Sequence, residues 1–221
     1  MQSFIFDFNG TLFLDAEIHR VAWKRFLGER GHIITDEIFD KYIYGPGNDV
    51  IFRRFLGSDL TWEQINALSE AKEAAYREIV LADPALQSLA PGAAEMLDML
   101  KARDVPCAVA TASIRSNVDF YMNDLGLSRW FDYGHMFYMD GTLPGKPDPA
   151  IYLRTMERLG YDPNSTTVVE DSLTGIRAAE AARVSRIIAI DTTMGPEALS
   201  KLPCVNAIVH DFYGFDRFLD E

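Results

Sequence analysis

The chain contains a series of short apolar runs that do not alternate with polar residues, and this pattern narrows the possible folds more than any other feature. The runs are residues 4–8 (FIFDF), 107–112 (CAVATA), 166–171 (TTVVED) and 186–190 (RIIAI), with a weaker one at 207–211 (AIVHD). A strand with one wet face alternates in polarity. A continuous run rich in branched residues suits a strand covered on both faces, as in a parallel sheet between helical layers. Helical spacing fills the gaps. Residues 92–103 follow Pro91, 114–125 end before Gly126, and 174–182 follow the third run. Residues 149–159 have Asp148 as N-cap, Pro149 at the first helical position and Gly160 at the stop. Strands alternating with helices predict an α/β fold, a Rossmann-like doubly wound parallel sheet.

Residues 15–87 break this alternation. Ile18, Val21, Ala22 and Phe26 recur at helical spacing up to Gly31, and Thr61 with Gln64 forms a capping box that opens a long helix through Val80. No strand pattern occurs between 15 and 100. The expected organisation is a core from 1–14 and 88–221, with 15–87 inserted after the first strand as an all-helical cap.

Thirty-three acidic residues against 21 lysines and arginines give a net charge of −12 over 221 residues. Such a surface repels nucleic-acid backbones and anionic lipid, so neither is an expected partner. A phosphorylated small molecule would need positive charge supplied locally. Cys107 and Cys204 lie in apolar surroundings and read as reduced core thiols. No run reaches the roughly 20 apolar residues that span a bilayer. The expectation is a soluble cytoplasmic protein.

Ligands of parallel α/β sheets bind at the carboxyl ends of the strands. The polar residues there are Asp7-Phe8-Asn9-Gly10-Thr11, Thr111-Ala112-Ser113 and Glu170-Asp171-Ser172, while Lys146 sits in the loop Gly145-Lys146-Pro147-Asp148-Pro149. Each has a bland reading: a turn at Asn9-Gly10, a helix N-cap at Glu170-Asp171-Ser172, a solvated Lys146, an ordinary strand end at Thr111. Their combined order favours the functional one.

That order, DxxGT, then Thr or Ser after a strand, then KPDP, then EDSxxGI, resembles the haloacid dehalogenase-like hydrolase superfamily. It is most similar to the branch with a helical cap after the first motif, which holds β-phosphoglucomutases and small-metabolite phosphatases. The resemblance implies Asp7 as a nucleophile that forms an aspartyl-phosphate. It implies Mg²⁺ held by Asp7, the Asn9 backbone carbonyl, Glu170 and Asp171. Lys146 would neutralise the gathered charge and the Thr111 hydroxyl would hold phosphoryl oxygens. The implied activity is a Mg-dependent phosphatase or phosphotransferase acting on a small phosphorylated metabolite, a sugar phosphate.

In the cap, Glu17 to Lys24 is similar to the ExHxxAW pattern of β-phosphoglucomutases. This makes His19 and Trp23 substrate or cap-coupling candidates, against Trp23 as core and His19 as a half-exposed helix residue. The basic second-phosphate loop of the mutases is replaced by Tyr44-Gly45-Pro46-Gly47-Asn48, which argues against the alternative reading of a sugar-phosphate mutase. Ser113 and Arg115 remain substrate candidates, and Arg115 suits a helix surface equally well. Arg53 and Arg54 read as a solvated helix face.

The chain departs from the family at Asn9, where most members carry the acid–base aspartate. A carboxamide does not shuttle protons near neutral pH, and losing a general acid–base costs about 10²–10⁴ in rate. The substrate then has a good leaving group, or another residue such as His19 supplies the proton, or Asn9 is an introduced substitution that traps a complex. A further alternative is a turnover-impaired protein that binds phosphate ligands.

Overall fold

The structure, a computed structural model, describes residues 2–43 and 47–219. The chain divides into two compact units, Met1–Leu14 with Ser88–Glu221, and Asp15–Gln87. Strands β1 (Ser3–Phe6), β2 (Cys107–Ala110), β3 (Met136–Phe137), β4 (Thr166–Glu170), β5 (Arg186–Ile190) and β6 (Ala207–Val209) all belong to the first unit. The helices are α1 (Ala16–Gly28), α2 (Asp36–Tyr42), α3 (Asn48–Leu56) and α4 (Trp62–Ala82) in the second unit. The first unit has α5 (Ala93–Ala102), α6 (Arg115–Asn123), α7 (Ala150–Leu159), α8 (Leu173–Ala181) and the single turn α9 (Pro196–Leu199).

The six strands form one parallel sheet in the order β3-β2-β1-β4-β5-β6. The chain winds outward from β1 to β3 and then restarts on the other side of β1 with β4, so the topological switch point lies between β1 and β4. Its register pairs Phe6 with Val169. The crevice of a doubly wound sheet forms outside the strand ends at such a point. Phe4, Ile5, Phe6, Val168, Val169, Ile188 and Ile190 are fully buried, as the non-alternating runs require of a sheet covered on both faces. On one face, Ile5, Val168 and Ile187 pack with Ile151 and Met156 of α7 and Ile176 and Ala179 of α8.

Strand β3 is absent from the sequence-based expectation. It has two residues, too short for any periodicity, and is fixed by its register against Val109 and Ala110. The expected cap at Asp148 shifts by one: Pro149 is the N-cap of α7, and Asp148 Oδ1 accepts from the Ala150 N–H at 2.9 Å. Gly160 ends α7 in the left-handed region, as expected. Cys107 and Cys204 are free and partly buried, Cys204 packed against the core of the first unit; burial pushes the Cys107 thiol up to about 11.

The second unit is helical throughout its described residues, with a core of its own. Trp23, Phe26, Leu27, Phe39, Ile51, Phe52 and Ile65 cluster there, with the Trp23 and Phe52 rings 5.3 Å apart. Thr35 caps α2 by accepting from Ile38 N. The capping box of α4 forms in full: Thr61 Oγ1 accepts from Gln64 N at 3.3 Å, and Gln64 Oε1 accepts from Thr61 N at 2.8 Å. Among the described residues no helix is long and apolar enough to cross a membrane. Thr61→Ala removes one arm of the box and is expected to lower stability by about 1 kcal/mol. Urea denaturation followed by circular dichroism checks this, and an unchanged midpoint contradicts it.

Candidate active site

The strand ends deliver the polar residues of the sequence motifs to one place. β1 stops at Phe6, so Asp7 is the first residue beyond it; its N–H still donates to Val169 O at 2.9 Å, which extends the β1–β4 pairing into the loop. β4 stops at Glu170 and β2 at Ala110. Lys146 reaches the same point from the loop before α7. Its Nζ donates to Asp7 Oδ1 at 2.6 Å, to Glu170 Oε1 at 2.7 Å and to Ala110 O at 3.1 Å. An ammonium has three protons, and all three are used. Asp7, Glu170, Asp171 and Lys146 are all buried, Glu170 completely.

Glu170 is held on both oxygens. Oε1 also accepts from Tyr152 OH at 3.0 Å, and Oε2 accepts from Asp171 N, Ser172 N and Ser172 Oγ at 2.9, 3.0 and 3.0 Å. Ser172 is at the same time the N-cap of α8, accepting from Gly175 N at 3.1 Å. The EDSxxG spacing is thereby explained. A side chain on Gly175 would overlap the Glu170 carboxylate, so the glycine makes room for the acid five residues earlier. Gly10 plays the same part in the first motif. It has φ +80°, and a Cβ there would overlap Asp171. Asp171 accepts from Thr11 Oγ1 at 3.2 Å and from the Thr193 hydroxyl.

Three buried carboxylates share one ammonium, leaving an excess of negative charge. Burial raises the Asp7 carboxyl well above its usual value; Lys146 pulls it back, and Glu170 and Asp171 push it up further. Asp171 is raised to about 7, first by burial and then by the charge of Glu170. Burial would also raise Glu170, but the Lys146 charge and the hydrogen bonds from Lys146, Ser172 and Tyr152 hold it below the ordinary range. Lys146, which burial alone would discharge, is raised by Asp7 and Glu170 and keeps its proton. Ligand oxygens of Asp7, Glu170 and Asp171 lie within 4.8 Å of one another. An all-carboxylate donor set with uncompensated charge fits a hard divalent cation.

Asn9 faces a cradle of hydroxyls. Its Oδ1 accepts from Ser113 Oγ at 2.7 Å, Thr111 Oγ1 at 3.1 Å and Tyr121 OH at 3.4 Å, while its Nδ2 donates to Tyr121 OH at 3.0 Å. Thr111 Oγ1 also accepts from Ser113 N at 3.1 Å. The Thr111 and Ser113 hydroxyls, expected to face substrate, are therefore turned toward Asn9. Tyr121 is fully buried, with its ring centroid 4.0 Å from that of Phe8.

The remaining candidates fall elsewhere. Arg115 is exposed at the start of α6, pairing with Asp119 at 2.8 Å. Trp23 is buried in the core of the helical unit. His19 lies in the same unit, with Nε2 3.4 Å from Asp15 Oδ2, Nδ1 2.9 Å from Lys72 Nζ and its ring stacked on Tyr76 at 4.2 Å. A lysine donating to Nδ1 leaves the ring proton on Nε2, facing Asp15. Lys72 is buried, bonds Glu73 at 2.6 Å and lies 5.1 Å from the Trp23 ring. Arg53 donates to Ser58 O and Arg54 sits over the Tyr42 ring, in keeping with a helix surface. Of the replaced second-phosphate loop, Tyr44, Gly45 and Pro46 lie outside the described residues.

Tyr121, Tyr152, Thr193 and Lys72 bear on these contacts without a place among the expected residues, and Thr11 belonged to the first motif without a role. Only Lys72 left a signal. It interrupts a buried stripe at helical spacing, Ile65, Ser69, Tyr76 and Val80, where a lysine must find partners.

The sequence model of the haloacid dehalogenase-like hydrolases matches residues 1–183. A phosphorylated carbohydrates phosphatase of Thermotoga maritima is 28% identical over 193 residues, covering 86% of this chain and 85% of that protein. Protein CbbY of Rhodobacter capsulatus is 31% identical over 194 residues, covering 82% of each. Among solved structures, a family IA, variant 3 hydrolase of this class from Entamoeba histolytica superimposes with a TM-score of 0.89 at 30% identity, over 96% of this chain and 94% of that one. The family match spans the whole length between the DxxGT motif and the EDSxxG motif, and the chain belongs to the haloacid dehalogenase-like hydrolases.

Proposed function

We propose that this hydrolase is a Mg²⁺-dependent phosphatase of a small phosphorylated metabolite, a sugar phosphate, acting through an aspartyl-phosphate on Asp7. The observation that carries the reading is the Lys146 ammonium seated between Asp7 and Glu170 at 2.6 and 2.7 Å. It orients the Asp7 carboxylate through Oδ1 and leaves Oδ2 as the attacking oxygen. The relative named for phosphorylated carbohydrates supports the substrate class. In this reading Asp15–Gln87 is the cap that selects the substrate, with His19 as its family-like candidate and Trp23 packed in its core.

In the first half-reaction a bond forms between Asp7 Oδ2 and phosphorus as the bond to the leaving oxygen breaks. In the second, water attacks the same phosphorus, phosphate leaves, and the Asp7 carboxylate is regenerated. Lys146 offsets negative charge near the phosphoryl group in both. Mg²⁺, held by Asp7, the Asn9 carbonyl and Asp171 with Glu170 beside them, supplies further charge neutralisation when bound.

Both steps need a proton relay: the leaving oxygen takes up a proton and the attacking water gives one up. Asn9 stands where the family's aspartate does this, with both ends of its carboxamide tied to core hydroxyls. The cradle presents three hydroxyl donors to one oxygen, a setting that suits a carboxylate equally well. This observation favours a second reading, a protein that binds phosphate esters and turns them over slowly. The mutase reading lacks the basic loop that would grip a second phosphate.

A panel of sugar, aryl and acyl phosphates with Mg²⁺, run on this protein and on Asn9→Asp, separates the readings. Turnover of sugar phosphates is expected, rising about 10²-fold or more in Asn9→Asp. Binding of the esters by this protein without turnover, with turnover appearing in Asn9→Asp, supports the second reading, and equal turnover in both shows that another group carries the proton.

A carboxyl raised on folding, as Asp171 is to about 7, stabilises the protein below the unfolded carboxylate range, and that contribution is lost as pH rises through about 7. A cation at Asp171 competes with this proton. Mg²⁺ is expected to raise the melting temperature more at about pH 8 than at about pH 6. A shift equal at both pH values, or none, contradicts the assignment of the site.

A further inference from the structure

The outer edge of the sheet carries a cavity that the proposed reaction does not use. It has a volume of about 410 Å³, within the usual range for small-molecule sites. Its floor is apolar, made by Phe137 of the edge strand β3, Leu143, and Ile151 of α7. Its walls bring together three guanidinium groups, Arg115 from the start of α6 and Arg154 and Arg158 from α7, against one carboxylate, Asp140. In a chain of net charge −12 such a concentration of positive charge is exceptional. Arg154 and Arg158 are four residues apart and so share a helix face, where like charges repel.

Two of these arginines are already fixed. Arg154 donates to Asp140 Oδ2 at 3.0 Å and to Thr142 Oγ1 at 2.9 Å. Arg115 donates to Asp119 at 2.8 Å and lies 4.9 Å from the Tyr133 ring and 5.9 Å from the Tyr138 ring. Arg158 has no ion pair or hydrogen-bond partner among the described residues, and it is the group left to bind an anion. Guanidinium groups match the oxygens of a phosphate in paired hydrogen bonds, while two tyrosines and an apolar floor offer a surface for a flat ring.

We propose that this cavity binds an organic phosphate with a planar aromatic body, of the size of a nucleoside monophosphate. The floor strand is tied to the active-site loop: Thr111 N donates to Phe137 O at 2.9 Å, and Met139 N donates to Ser113 O at 3.0 Å. The occupant therefore rests one strand away from the hydroxyls that cradle Asn9.

Calorimetric titration of the full chain without Mg²⁺, using AMP, adenosine and inorganic phosphate as probes, tests this. AMP is expected to bind, with adenosine and phosphate each at least about tenfold weaker, because neither engages both the arginines and the apolar floor. Arg158→Ala, which loses no internal partner, is expected to keep its melting temperature and weaken AMP about tenfold; Arg154→Ala should weaken it similarly. Undiminished AMP affinity in both variants, no AMP binding to the parent up to about 1 mM, or phosphate or adenosine alone binding as tightly as AMP would overturn the proposal.

Discussion

A buried ammonium that spends its three protons on Asp7, Glu170 and the Ala110 carbonyl joins segments drawn from across the length of the chain. Those segments leave β1, β2 and β4, the central strands of the sheet, and the lysine comes from the loop before α7. Without it, three carboxylates would face one another away from water. Breaking a buried pair of this kind costs about 3–5 kcal/mol, because the charge left behind has no partner. Most of the neighbouring detail serves the same arrangement. Tyr152 and Ser172 hold Glu170 in place, Gly175 leaves it room, and Gly10 lets the first motif approach Asp171.

This concentration of acids also gives the site its chemistry. Burial, and after it the charge of Glu170, makes losing a proton costly at Asp171, whose carboxyl is raised to about 7. In the proposed reaction a divalent cation would offset that cost, and a phosphoryl group brought to Asp7 would meet an environment already arranged for charge. The cradle around Asn9 belongs to the same site but opposes full turnover. It holds a group that cannot exchange protons in the position from which protons would be moved, so in the proposed reaction the attack by Asp7 would be well equipped and the hydrolysis that follows would not.

Much of this was readable in the residues alone. The non-alternating runs identified β1, β2, β4, β5 and β6, since a strand buried on both faces must be apolar throughout. Asp7, Glu170 and Asp171 appeared as polar groups at strand ends, and Lys146 in the loop before a helix. β3 escaped because two residues carry no period, and it exists through pairing with β2. Tyr121 and Tyr152 escaped because a tyrosine on a buried helix face looks like core; its hydroxyl partner is known only once the helix is docked. The direction of the Thr111 and Ser113 hydroxyls, toward Asn9 and not outward, likewise depends on side-chain geometry that spacing does not encode. Trp23 took the simpler of its two readings, as a core residue of the helical unit.

The most direct test of the central claim is to find the phosphoryl group on Asp7. The chain is incubated with acetyl phosphate and Mg²⁺, quenched with borohydride, which reduces an aspartyl-phosphate to homoserine, and its peptides are mapped by mass spectrometry. Conversion at Asp7 alone is expected, and more of it than in Asn9→Asp, because Asn9 would slow the hydrolytic half-reaction. An unmodified Asp7, or conversion at another carboxylate in its place, would contradict it.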